Sequence, residues 1–278
     1  MTKPLLAIDG DNVVHRSFHA LPASIKDGEG RTANAIVGFG NQLLRLWDET
    51  SPRTMFVAFD TPTEPTYRHE LLAEYQSGRD FTQDRQFMAQ LDRAPELVAA
   101  LGLPWAKQVG YEADDFLAAA ARAEEAAGGS AVVFSSDRDL FQLASERTTI
   151  LQPKRAGVLD QIGPAEVRER YGVEPRQVPD FIALRGDASD RIPGASGVGP
   201  AKAAAVLREL GSLEAALTAG RFGAEADDLR RYLSIARLRD NAPIPPLPDC
   251  DPDWVAGADL TAAWGLRALS ERLRAREE

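Results

Sequence analysis

The chain has 278 residues, 44% of them hydrophobic, one cysteine (Cys250) and a formal net charge of −10. A single cysteine excludes an internal disulfide and a cysteine-based zinc cluster, which makes a reducing cytoplasm the expected setting, and no apolar run suits a signal-peptide core or a membrane span. The acidic balance excludes a uniformly basic nucleic-acid surface, but 32 Lys and Arg remain to be unevenly distributed.

Leu5-Leu6-Ala7-Ile8 is a short apolar run that stops on Asp9 and reads as a buried strand. A polar loop to about Thr32, a helix over 35–48 and a strand over 54–59 that stops on Asp60 complete a βαβ unit. From 61 to 92 the character changes to prolines, charge and scattered aromatics (Tyr67, Tyr75, Phe81, Phe87), with no strand-like run. Insertions of this length are usually functional or disordered, and this one begins at a carboxylate. A helix restarts over 95–101, 105–109 reads as a short strand, and 114–127 is an Ala-rich helix ended by Gly128-Gly129. The apolar run 131–134 leads to Asp137 and Asp139. A short helix from Leu140 to Leu143, a strand-like 148–152 and a helix over 164–171 stopped by Gly172 follow. Beyond Pro175 only helices are expected, over 181–185, 199–210, 212–217 and 227–239. A Pro-rich connection at 242–252 precedes a final amphipathic helix over 260–274 that would bury Leu260, Trp264, Leu269 and Leu273. The expected fold class is therefore α/β, a mainly parallel central sheet flanked by helices over 1–174, followed by an all-α region over 175–278.

Three apolar runs end on, or just before, aspartates, and in open parallel sheets ligands sit beyond the carboxyl ends of the strands. Asp9, Asp60, Asp137 and Asp139 should therefore converge. Glu112, Asp114 and Asp115 lie at a helix start, where they also read as an acidic N-terminal turn facing the helix dipole. Asp187 and Asp190 share one helical face if that segment is helical, or cap a turn if Gly186 and Pro193 make it a loop. Carboxylates gathered in one crevice repel one another and lose hydration, so they stay ionised only around a cation. An oxygen-only donor set favours Mg²⁺ or Mn²⁺. His15, His19 and His69 have no zinc-ligand spacing and read as polar surface or phosphate contacts.

The stretch Gly194-Ala195-Ser196-Gly197-Val198-Gly199-Pro200 runs into a helix, exposing backbone N–H groups and a helix dipole to an anion. No strand precedes it and no Gly-Lys-Ser/Thr closes it, which disfavours a nucleotide-binding P-loop. Sequence-independent contact with a nucleic-acid backbone fits better, beside the plainer reading of a helix-hairpin connection.

With these residues in place the chain resembles the bacterial 5′-nuclease family: the 5′→3′ exonuclease domain of DNA polymerase I and its stand-alone and flap-endonuclease relatives. The stretches that carry the resemblance are LLAIDGDN with HRSFHAL, VAFDTPTEPTYRHE, YEADD, SSDRDLFQL and FIALRGDASDRIPGASGVG, in the family's order. YLSIARLRDNAPIP resembles its C-terminal helix and tail. The resemblance implies a PIN-like nuclease fold with a C-terminal helix-three-turn-helix over 194–210, and a helical arch over 61–92 that passes a 5′ single strand. It implies that Asp9, Asp60, Glu112, Asp114, Asp115, Asp137, Asp139, Asp187 and Asp190 bind two or more divalent ions, Mg²⁺ or Mn²⁺, with K⁺ as a further ion at the helix-three-turn-helix. It also implies that Arg79, backed by Arg68, steadies the scissile phosphate. DNA contacts are expected from His15, Arg16, Arg68, Gln76, Arg79, Arg191, Gly197, Gly199 and Lys202. The partner would be 5′-flapped, nicked or 5′-ended duplex DNA, cut by a free-standing monomer in replication and repair, without a membrane.

The chain departs from the family pattern at several positions. Gln76 stands where relatives commonly carry Lys after the arch tyrosine, and His15 where they usually carry Tyr. Arg191 replaces Asn, and Ala201-Lys202 replaces Lys-Thr. These changes bear on rate and substrate preference and leave the carboxylates intact. Two rivals follow: a catalytically weak or inactive DNA-binding protein, and a haloacid-dehalogenase-type phosphatase suggested by Asp9-Gly10-Asp11-Asn12-Val13, in which the glycine hairpin has no role.

Overall fold

The computed structural model describes residues 3–77, 84–154 and 157–276. Strand β1 (Leu5–Asp9) lies between β2 (Thr54–Ala58) and β4 (Ala131–Phe134), both parallel to it, with Ala7 level with Phe56 on one side and Val133 on the other. With β3 (Trp105–Ala106), β5 (Thr148–Pro153) and β6 (Leu159–Ile162) the sheet order is β3-β2-β1-β4-β5-β6, and only β6 runs antiparallel. Leu5, Leu6, Ala7 and Ile8 are fully buried, as continuous apolar runs covered on both faces require. The chain leaves β1 towards β2 on one side and β4 on the other. That reversal of strand order opens a crevice at the carboxyl edge.

One face of the sheet is covered by α6 (Ala113–Ala126) and, continuous with it, by the core of a helical region comprising α8 (Val178–Arg185), α9 (Pro200–Leu210), α10 (Leu213–Thr218) and α11 (Ala226–Ala236). The other face is covered by α1 (Gly10–Ala20), α2 (Asn34–Thr50) and α5 (Arg93–Ala100). α7 (Pro164–Tyr171) follows the edge strand β6.

The structure differs from expectation in several elements. The loop expected after Asp9 begins with α1, because Asp9 caps it by accepting from Asn12 N at 3.0 Å while Val13 and Val14 turn inward. Its polar composition reflects a helix with one narrow packed face. Strand β6 went unseen because an edge strand of sequence Leu-Asp-Gln-Ile carries little apolar signal, and β3 is two residues long rather than five. The 61–92 segment contains α3 (Tyr67–Leu71) and α4 (Arg85–Leu91); residues 78–83, including Arg79 and Phe81, lie outside the described residues. The single C-terminal helix is a pair, α12 (Trp254–Ala263) and α13 (Arg267–Arg274), turning at Gly265 with φ +75°. At Gly265 a Cβ would sit 2.4 Å from the Gly28 backbone, so only glycine fits there. The pair packs on α2 and α5, burying Trp254, Leu269 and Leu273, while Leu260 and Trp264 stay half-buried.

Candidate metal centre

Because β1, β2 and β4 are parallel and in register, Asp9, Asp60 and the 135–139 turn leave the sheet at the same edge. A chain of short hydrogen bonds stitches these ends together. Asp9 accepts from Ser135 Oγ at 2.7 Å, Ser135 Oγ accepts from Asp137 N at 3.0 Å, and Asp137 accepts from Asp139 N at 2.9 Å. Across the crevice Asp11 accepts from Asp60 N at 2.8 Å, and Asp60 accepts from Ala113 N, at the α6 start, at 2.6 Å. From the helical side, Asp187 and Asp190 are carried by a tight turn in which residues 187 and 192 bond each other's backbones at 2.8 Å. The turn sits where Gly186 and Gly194 pass backbone against backbone. A Cβ on Gly194 would lie 2.4 Å from Gly186 N.

The result is one cleft of about 910 Å³ lined by eight of the nine expected acids: Asp9, Asp60, Glu112, Asp114, Asp137, Asp139, Asp187 and Asp190. Asp11 and Glu64 line it as well. Asp11 went unassigned in the sequence because its place in the first turn of a helix was hidden by the loop expected there.

Asp115, the ninth acid, is elsewhere. It is fully buried and accepts from Glu112 N (3.2 Å), Arg239 N (2.8 Å), Tyr67 OH (3.3 Å) and both terminal nitrogens of Arg68 (3.1 and 3.3 Å). Arg68 is 1% exposed, which overturns its expected contact with DNA. Its guanidinium also pairs with Glu112 and Asp114, each at 3.1 Å, and donates from Nε to the Ile235 carbonyl at 3.1 Å. Arg68 is therefore an internal counter-charge tying α3 to α6 and α11. Glu112 is held further by Thr66 Oγ1 at 2.8 Å and Tyr75 OH at 3.1 Å.

Crowding shows in the acid–base behaviour. Burial pushes Asp9 up to about 6, helped by the charge of Asp137 and opposed by the Asn12 and Ser135 hydrogen bonds. Burial pushes Asp11 up to about 7, with Asp9 raising it further and Lys107 opposing. Asp60 and Asp139 rise well above the usual carboxylate range through burial and then neighbouring acids, and Asp114 does so although Arg68 pulls it down. Asp187 moves the other way: burial is outweighed by hydrogen bonds from Ser189 and the charge of Arg185.

Among the expected DNA contacts, His15 and Gln76 line the cleft, and Arg16, Arg191, Gly197, Gly199 and Lys202 are exposed. Gln76 donates to Tyr75 OH at 2.9 Å, and Arg191 Nε donates to the Ser77 carbonyl at 3.1 Å, so the base of the 61–92 segment rests on the 187–192 turn. Gly197, φ +67°, has open space where a Cβ would be. Arg185, which its local sequence pattern does not mark as functional, also lines the cleft.

Carboxylates are the most numerous ionisable groups lining the cleft, beside His15 and His69, and carboxylate oxygens suit a hard divalent ion. Among the described residues no group of three or more His, Cys, Asp or Glu is arranged to hold a metal by itself. Among the described residues no helix is long and apolar enough to cross a membrane.

Two family descriptions match the chain: "5'-3' exonuclease, N-terminal resolvase-like domain" over residues 4–172 and "5'-3' exonuclease, C-terminal SAM fold" over 173–249. DNA polymerase I of Deinococcus radiodurans is 42% identical over 230 residues, covering 82% of this chain and 23% of that protein. The thermostable DNA polymerase I of Thermus thermophilus is 36% identical over 279 residues, covering 97% of this chain and 32% of that protein. The chain thus spans between 23% and 32% of the length of these curated relatives. Of solved structures, T5 5′-exonuclease with divalent zinc bound aligns with a TM-score of 0.70 at 20% identity, covering 99% of this chain and 100% of that one. The catalytic core of Rad2 in complex with DNA substrate aligns with a TM-score of 0.62 at 15% identity, covering 98% and 91%. At such identities the likeness is one of fold. The two descriptions abut at residue 172 and together run from 4 to 249 around the acid-lined cleft, so the chain belongs to the 5′→3′ exonuclease family.

Proposed function

We propose that the chain hydrolyses DNA phosphodiester bonds near 5′ ends and at the foot of 5′ flaps, using Mg²⁺ or Mn²⁺, as a monomer in a reducing cytosol. The observation that carries this reading is the convergence of eight carboxylates, from segments spread over residues 9–190, on one cleft at the carboxyl edge of the sheet. Bound there, divalent ions would lower the pKa of a coordinated water and neutralise charge on the attacking and leaving oxygens. Asp9, Asp60, Glu112, Asp114, Asp137, Asp139, Asp187 and Asp190 would hold them. Ser135, Asn12 and Arg68 keep those acids aimed by hydrogen bonds the protein already makes.

The 61–92 segment would pass the single strand, with Arg79 steadying the scissile phosphate. The open glycine turn at 197–199 and Lys202 would grip a duplex phosphate, with K⁺ as the ion expected at that turn. Such contacts position the duplex without reading its sequence. Primer and flap removal during replication and repair is the corresponding role.

A labelled 5′-flap duplex incubated with Mg²⁺, Mn²⁺ or EDTA tests the reading, with product length read at single-nucleotide resolution. Metal-dependent cutting at the flap junction is expected. Tight binding without cutting would instead make the chain a DNA-binding protein, and phosphate release from a small phosphomonoester without DNA cleavage would favour the phosphatase.

A further inference from the structure

Two largely buried arginines stand beside the cleft acids, and their hydrogen bonding differs. Arg68 places all three guanidinium nitrogens on protein acceptors. Arg185, at the end of α8, makes one side-chain hydrogen bond among the described residues, from Nη2 to Asp187 at 3.1 Å. Its Nε is buried without an acceptor. What holds it is aromatic: the guanidinium lies 5.1 Å from the Phe181 ring centre and 5.5 Å from that of Tyr171. Ring contact fixes a guanidinium without using its N–H donors. Arg185 lines both the acid cleft and a neighbouring groove of about 540 Å³ that leads past Arg191 to the start of α9. It therefore stands between the metal end of the molecule and the glycine turn.

We propose that Arg185 is a phosphate-binding residue of the nuclease: its guanidinium, held by the two rings and Asp187, receives a non-bridging oxygen of a backbone phosphate of the substrate strand between the acid cleft and the glycine turn. The inference rests on the nuclease reading above and deepens it. Arg185 spends one nitrogen on Asp187 and leaves Nε without an acceptor, and a phosphodiester entering between α8 and α9 supplies a further acceptor to the guanidinium. Burial beside one carboxylate and two rings makes the planar fork, rather than charge alone, the recognition element.

The test compares wild type, R185K and R185M on a 5′-flap DNA duplex in three measurements. The first is binding in Ca²⁺ against salt concentration, the second is kcat and KM in Mg²⁺, and the third is Mn²⁺ binding to the DNA-free protein by electron paramagnetic resonance. R185M should weaken flap binding about tenfold, reduce the magnitude of the salt slope by about 1 and lower kcat/KM about 10²-fold. R185K should restore the salt slope but only part of kcat/KM, and it carries the test alone if R185M fails to fold. An unchanged salt slope in R185M, with only Mn²⁺ affinity or thermal stability altered, would reduce Arg185 to a counter-charge for Asp187 and overturn the inference. A wild-type protein that does not cut the flap would instead overturn the nuclease reading itself.

Discussion

Adjacent acids at the start of α6 face different environments, and that separates their roles. Asp114 lines the cleft, whereas Asp115, next in the chain, has both oxygens occupied by buried protein donors. Asp115→Asn should therefore cost about 2–3 kcal/mol in urea unfolding, since it weakens charge-assisted bonds to Arg68 and the Arg239 amide. Asp137→Asn, at an exposed position, should leave stability within about 0.5 kcal/mol while abolishing cleavage and sparing flap binding. Near wild-type turnover in Asp137→Asn would sink the metal-centre assignment. Arg68→Met leaves three carboxylates without their buried cation, so a loss of about 3–5 kcal/mol is expected. The sequence showed these residues as a run of acids and an arginine near an arch. Which acid faces the cleft, and that Arg68 faces away from it, depends on which side of α6 meets α3.

At the scale of elements, the 186–199 segment shows how glycines placed for different reasons predict different phenotypes. Gly194→Ala would set a Cβ 2.4 Å from the backbone of Gly186 at a φ of +76°, so more than about 2 kcal/mol of stability should be lost. The Asp187–Asp190 turn should move with it, so activity should fall even where the protein folds. Gly197→Ala meets open space and costs only the left-handed backbone penalty, about 1 kcal/mol. If the turn grips duplex phosphates, Gly197→Ala should keep the melting temperature within a few degrees and weaken flap-duplex binding roughly tenfold. The glycine-rich run was legible as a turn into a helix, and α9 starts at Pro200, one residue after the expected start. Helix α1 and strand β6 were not legible, because a helix with one narrow apolar face and a four-residue edge strand leave too little periodicity above a polar background.

Across the whole molecule, the net charge of −10 is unevenly placed, and the cleft acids work against the metal-free fold. Asp9 and Asp11 have folded-state pKa values near 6 and 7, above the ordinary 3.8, so between about pH 4 and 7 the folded state binds more protons than the unfolded chain. Stability of the metal-free protein should therefore fall as pH rises through that window. Asp27 contributes with the opposite sign. Burial is outweighed by Arg31, two backbone amides and Arg93, which hold it at about 2, so its stabilisation is present above about pH 4 and lost as pH falls towards 2. Urea midpoints in EDTA should be higher near pH 5 than near pH 7.5, with Mn²⁺ removing most of the difference by neutralising the cleft. A metal-free midpoint that rises over that range would contradict the crowding of the acids. The sequence by itself determined the alternation of buried strands and helices, the aspartates that end the strands and the glycine turn before α9, because each is local: an apolar period, a strand-end residue, a backbone that only glycine adopts. Only the tertiary structure decided that Asp11 joins the cleft while Asp115 and Arg68 leave it, that Arg185 stands between cleft and groove, and that the last helix folds into a pair against α2 and α5. Those outcomes depend on which faces of distant elements meet, and a side chain's neighbours across 50 or 100 residues leave no mark in its local pattern.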